Sequence, residues 1–116
     1  MENSTIISIV NTVGDVYCVE AEDGQKVYNL IKKALDEKLN VTLSFLNVQM
    51  LTTAFLNTAV GQLYKDYTEE YVRSFVKVVD ISESGLISLK RVVDTAKLYY
   101  KDPEAMQRSI NEILED

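Results

Sequence analysis

Asp80, at the carboxyl end of the apolar run from Phe75 to Ile81, is the best placed ionisable side chain in the sequence. Open α/β sheets bind their ligands beyond the carboxyl ends of the strands, but Asp80 has no second acid or base at a recognisable spacing. Glu20, Glu22 and Asp23 cluster ahead of a helical segment, and Glu69 and Glu70 follow Thr68 in a loop. Either cluster has the oxygen ligands magnesium prefers, yet acids near a helix start are accounted for by the helix dipole. Histidine is absent, which removes Ser-His-Asp and Cys-His nucleophiles and the usual zinc ligand. Gly14, Gly24, Gly61 and Gly85 are scattered, and no phosphate loop or dinucleotide fingerprint can be built from them. The single cysteine, Cys18, lies in an apolar stretch and reads as buried filler rather than a redox thiol. No catalytic residue, metal or cofactor is expected, and a small-molecule binder or hydrolase built on Asp80 is a subordinate alternative.

Hydroxyl groups are the chemistry that remains. Thr52 or Thr53 caps the helix that follows them. A hydroxyl exposed at such a position also sits where the helix dipole accommodates a phosphate. Of the seven tyrosines, Tyr99 and Tyr100 close a helix and point about 100° apart. Without a basic groove beside them they read as packing rather than as a base-stacking platform.

Elements of both kinds must hold these groups. Thr5 to Val10 and Val16 to Val19 are β-branched and apolar, and with the Gly14-Asp15 turn between them they predict a hairpin. Asp23 is expected to cap a helix from Gly24 in which Val27, Leu30, Ile31, Ala34 and Leu35 form one stripe. Val41 to Leu46 predicts a third strand, followed by a bend at Asn47 and a helix with Leu56, Ala59, Val60, Leu63 and Tyr67 on one face. Phe75 to Ile81 predicts a fourth strand. Ser82 or Ser84 then caps a long helix carrying Leu86, Leu89, Val93, Ala96 and Tyr100 in line. Asp102-Pro103 restarts a last helix with a Met106, Ile110, Ile113 and Leu114 stripe. The order is β-β-α-β-α-β-α-α, which is an α/β sheet with helices packed on it.

The 116 residues amount to one domain, with a core over about 5–101 and a terminal helix over about 103–114. A net charge of −6 supplies none of the phosphate neutralisation on which nucleic-acid binding depends, and it disfavours anionic membranes. No basic leader and no apolar run of membrane length is present, so the expected compartment is the cytoplasm.

The run Val41-Thr-Leu-Ser-Phe-Leu-Asn-Val-Gln-Met-Leu-Thr-Thr-Ala-Phe-Leu-Asn-Thr-Ala-Val-Gly-Gln-Leu-Tyr64 resembles the centre of the STAS domain, the fold of anti-sigma-factor antagonists. Leu89-Lys-Arg-Val-Val-Asp-Thr-Ala-Lys-Leu-Tyr-Tyr100 is a second matching stretch. Taken together they resemble, more closely, the bacterial STAS-like family of unassigned function. The resemblance spans roughly residues 5–101 and implies a four-stranded mixed sheet with helices packed on it.

In STAS antagonists an Asp-Ser or Asp-Thr pair opens the helix after the central strand. A partner kinase with a histidine-kinase-type ATPase fold phosphorylates the hydroxyl, and the complex breaks. Thr53 occupies the acceptor position here, with Thr52 second and standing where the aspartate would be. The Ser/Thr-Gly-Leu that follows in the antagonists is Ala54-Phe55-Leu56. The resemblance thus implies a non-enzymatic signalling module whose partner is a protein, either such an ATPase or the regulator it controls. Its expected contact surface is Asn47, Gln49, Thr52, Thr53 and Phe55. Phe55 is an aromatic anchor if exposed; if buried, it packs under the loop after Tyr67. The alternative is a structural subunit that forms homo-oligomers through the C-terminal helix.

Overall fold

The computed structural model describes residues 3–101. Its first strand, β1 (Ser4–Ser8), ends where Ser8 caps a one-turn helix, α1 (Ile9–Val13), by accepting the Asn11 N–H at 3.1 Å. Gly14 closes that turn at φ 81°, donating its N–H to the Val10 carbonyl at 2.7 Å. A serine cap followed six residues later by a left-handed glycine outweighs the β-branched composition of Ile9 and Val10.

The helix also removes the expected hairpin. Strand β2 (Tyr17–Cys18) does not pair with β1; it runs parallel to β4 (Met50–Leu51), Tyr17 opposite Met50 and Cys18 opposite Leu51. Helix α2 (Ala21–Asp36) begins before Asp23, with Glu20 as the extended residue at its N-cap and Glu22 and Asp23 in the first turn. It buries Val27, Tyr28, Ile31, Ala34 and Leu35, while Leu30 is left half-exposed.

After β3 (Asn40–Ser44) and β4 comes a helical arm of three pieces. They are α3 (Thr53–Leu56), a π turn (Asn57–Gly61) and α4 (Leu63–Asp66). In the π turn the Gln62 N–H reaches back five residues to the Asn57 carbonyl at 3.1 Å. Residues Glu69 and Glu70, expected in a loop, open helix α5 (Glu69–Phe75), which Thr68 caps by accepting the Tyr71 N–H at 3.1 Å. The strand expected from Phe75 therefore starts one residue later, as β5 (Val76–Val79). Ser82 caps α6 (Glu83–Lys101) by accepting the Gly85 N–H at 3.0 Å. Along α6 the buried residues are Gly85, Leu89, Val92 and Ala96, and Leu86 is exposed.

The main sheet has three strands in the order β1-β3-β5, all parallel. Together with the separate β2-β4 pair it replaces the four-stranded mixed sheet expected. Each link between its neighbours carries helices, as a parallel crossover requires. Register places Ile7, Leu43 and Val78 in one row and Thr5, Val41 and Val76 in another, on the face that α2 and α5 cover. On the opposite face Ile6 stands 74% exposed in line with Thr42 and Lys77.

Helix α2 lies in the middle of the molecule, with the sheet on one side and α3 and the π turn on the other; α6 closes over the arm. Gly24 makes that seating possible. A Cβ there would stand 2.5 Å from the Phe55 carbonyl oxygen and 3.0 Å from Thr58 Cβ. Phe55, Leu56, Ile31, Leu35 and Leu43 fill the centre. No helix among the described residues is long and apolar enough to cross a membrane. The Asp102-Pro103 restart, the helix over 103–114 and the oligomer contact assigned to it lie outside the described residues.

Candidate functional site

Ser44 pairs with Val79, so β3 and β5 end side by side. Phe45 extends the ladder by one bond, its N–H donating to the Val79 carbonyl at 3.0 Å. Both chains then turn through left-handed residues, Asn47 at φ 69° and Asp80 at φ 58°. Asn and Asp enter that region at lower cost than other side chains with a Cβ.

The two turns border a crevice of about 560 Å³ beyond the carboxyl ends of the strands. Asn47, Gln49, Met50, Asp80, Ser82 and Ser84 are among its lining residues. The Ser44 hydroxyl donates to Asp80 Oδ2 at a long 3.5 Å, which turns the carboxylate toward the end of β3. Among the described residues Asp80 is the one charged side chain lining the crevice. Leu46 and Met50, more than half exposed, give its rim an apolar side. Serines from the first turns of α6 supply hydroxyls on the other side.

Thr52 and Thr53 lie past β4, outside that lining, and they do different things. The Thr52 hydroxyl donates to the Val19 carbonyl at 2.7 Å and accepts the Phe55 N–H at 3.2 Å. Its backbone N–H donates to the Cys18 carbonyl at 3.2 Å. It is the helix cap and also the tie between β2 and the arm. Thr53 is the first helical residue and is exposed. The arrangement thus separates a structural hydroxyl from a presented one.

Phe55 is completely buried, which corrects its place on the contact surface. It lies off the main apolar stripe of the arm, but the arm packs on α2 on one side and on α6 on the other. A helix packed on two sides buries more than one stripe. The five predicted contact residues therefore divide into Asn47 and Gln49 on the crevice, Thr52 engaged inside, Thr53 on the surface and Phe55 in the core. What the reading of residues alone missed is the crevice wall from Ser82, Ser84 and Ser88, of which Ser82 and Ser84 had served only as cap candidates and Ser88 had no part.

Other chemistry is quiet. Cys18 is fully buried, and burial, reinforced by the Asp15 and Asp23 charges, pushes its thiol up to about 11. It is therefore protonated near neutral pH, in agreement with its reading as filler. Among the described residues no three Cys, Asp or Glu side chains gather as metal ligands would. Tyr28 donates its hydroxyl to Asp66, Tyr67 to Asp36 at 2.7 Å and Tyr71 to the Leu35 carbonyl at 2.9 Å. These tyrosines fasten the turn after α4, and α5 beyond it, to α2. Glu69 bridges Arg73 at 2.8 Å and Lys97 at 3.0 Å, and the hydrogen bond and charge of Lys97 hold its carboxyl below the usual range.

No curated protein and no solved structure matches the chain. The family model described as a STAS-like domain of unknown function (DUF4325) matches residues 23–86, from the first turn of α2 into the first turn of α6. That match takes in more than half of the chain together with the strand ends, both left-handed turns and the Thr52–Thr53 corner, and the protein belongs to the STAS-like family.

Proposed function

We propose that this protein is a non-enzymatic regulatory module that binds a protein partner and is switched by phosphorylation of Thr53. The observation that supports the reading is the division between neighbouring hydroxyls. Thr52 is engaged as donor and acceptor, whereas Thr53 is exposed at the first helical position. Transfer of the ATP γ-phosphoryl group to Thr53 Oγ1, with ADP leaving and the hydroxyl proton passing to a base on the kinase, leaves the Thr52 bonds intact. The new group adds a charge of about −1.5 to −2. The adjoining start of α2 carries Glu20, Glu22 and Asp23, so phosphate deepens an acidic corner and repels a partner docked by apolar or acidic groups. The partner is a histidine-kinase-type ATPase or the regulator it controls, in line with the resemblance to STAS antagonists.

The test is incubation of the protein with such an ATPase from the same cell and ATP, followed by mapping of the phosphate. One phosphate on Thr53, abolished in Thr53→Ala and retained in Thr52→Val, with release of the partner, is the expected result. Phosphate at another residue, or partner binding indifferent to Thr53→Glu, overturns it.

A further inference from the structure

Strand β1 lies at the edge of the main sheet, with β3 on its inner side. The Asn40 N–H donates to the Asn3 carbonyl at 2.7 Å, which fixes the backbone direction of the whole strand. N–H and C=O groups alternate sides along a strand, so residues 3, 5 and 7 face β3. Those of Ser4, Ile6 and Ser8 face outward, but the Ser8 carbonyl already accepts the Thr12 hydroxyl at 2.8 Å, so Ser4 and Ile6 are the positions left for a neighbouring strand. Sheet edges are ordinarily blunted by charge, proline, a bulge or a covering element. Residues 3–8 contain no charged residue, no proline and no glycine, and five consecutive residues pair with β3 in unbroken register.

A groove of about 590 Å³ runs between this edge and α2. Thr5, Ile7, Leu30, Lys33, Ala34 and Glu37 are among its lining residues, with Leu30 44% exposed; on the sheet's other face the same edge strand carries Ile6, 74% exposed. We propose that the occupant is a second copy of this chain, its β1 antiparallel to the first across a two-fold axis, so that two three-stranded sheets become one of six strands. The charges point to that occupant. Lys33 and Glu37 stand one helical turn apart on α2, both exposed and neither in an ion pair among the described residues. A two-fold axis reverses their order, so Lys33 of each copy approaches Glu37 of the other, as an isologous interface requires. The groove thereby carries one charge of each sign in a chain of net charge −6, which fits neither a strongly basic nor a strongly acidic partner.

Sedimentation equilibrium of the full chain tests the pairing. The wild type is expected to be a dimer. Ile6→Pro removes an outward N–H and no bond to β3, so the variant is expected to be a monomer with an unchanged circular dichroism spectrum. Lys33→Glu and Glu37→Lys should each weaken the dimer roughly tenfold, and an equal mixture of the two should restore it, because unlike charges again oppose each other across the axis. A monomeric wild type, or a dimer that ignores both Ile6→Pro and the charge exchange, overturns the proposal. Should Ile6→Pro fail to fold, the mixing experiment decides alone.

Discussion

Gly24 and the Phe55 carbonyl oxygen leave no room for a side chain between them: a Cβ on Gly24 would fall 2.5 Å from that oxygen. Backbone stands on both sides of the contact, so neither partner relaxes cheaply. Gly24→Ala is expected to lower unfolding stability by about 2–3 kcal/mol, read as a drop in the urea midpoint at unchanged slope. Gly14→Ala provides the contrast. Nothing stands within 4 Å there and only the left-handed φ of 81° resists a side chain, so the expected loss is about 1 kcal/mol.

Thr52 and Thr53 separate in the same measurement. Removing the Thr52 hydroxyl costs the cap on Phe55 and the bond to Val19, and Thr52→Ala is expected to lose about 1–2 kcal/mol. Thr53→Ala should stay within about 0.5 kcal/mol of the wild type, as exposed substitutions do. Equal losses at the two sites would remove the distinction on which the proposed switch depends.

Alkaline pH should unfold the protein earlier than its net charge alone predicts. Burial raises the Cys18 thiol from 9.0 to about 11, and burial followed by the Asp66 and Asp36 hydrogen bonds raises the Tyr28 and Tyr67 phenols well above 10.0. In each case the folded state holds its proton more tightly than the unfolded state. The stability these groups contribute is complete below their unfolded values and is lost as pH rises through the folded ones. Urea midpoints should therefore fall from about pH 9 upward, with a shallower fall between 9 and 11 in Cys18→Ala. Alkylation of native Cys18 at pH 8 should run at least roughly a hundredfold slower than in the unfolded chain.

How far these features could be read from residues alone depends on how local their causes are. The α2 stripe of Val27, Ile31, Ala34 and Leu35 was legible because its period and its burial agree. Helix α5 was not, although Tyr67, Tyr71 and Phe75 recur every four residues and stack at 5.4 and 4.5 Å. Their spacing was hidden by the acidic pair between the first two and the β-branched run after the last. The parallel β2-β4 pair was illegible for a different reason. Two residues carry no pattern, and the choice against a hairpin was made by a single serine cap at Ser8. Asp80 was visible as a strand-end acid, but the crevice it borders needed the turn at Asn47, and a backbone angle leaves no mark on composition.

Those two turns can be tested by relieving them. Asn47→Gly and Asp80→Gly remove the Cβ from left-handed positions at φ 69° and 58°, and each is expected to gain up to about 1 kcal/mol. Asn47→Ala and Asp80→Ala should lose a similar amount, as read by thermal unfolding.

The same geometry restricts how the crevice can diverge among relatives. At Asn47 and Asp80 a replacement must first tolerate the backbone, which favours Asn, Asp and Gly, although Lys38 shows at φ 61° that another side chain can be held there at a cost. Invariance at these two positions would therefore be no sign of shared ligand chemistry. Gln49, Ser84 and Ser88, which line the same crevice at backbone angles any residue can adopt, are where a change of specificity would be written.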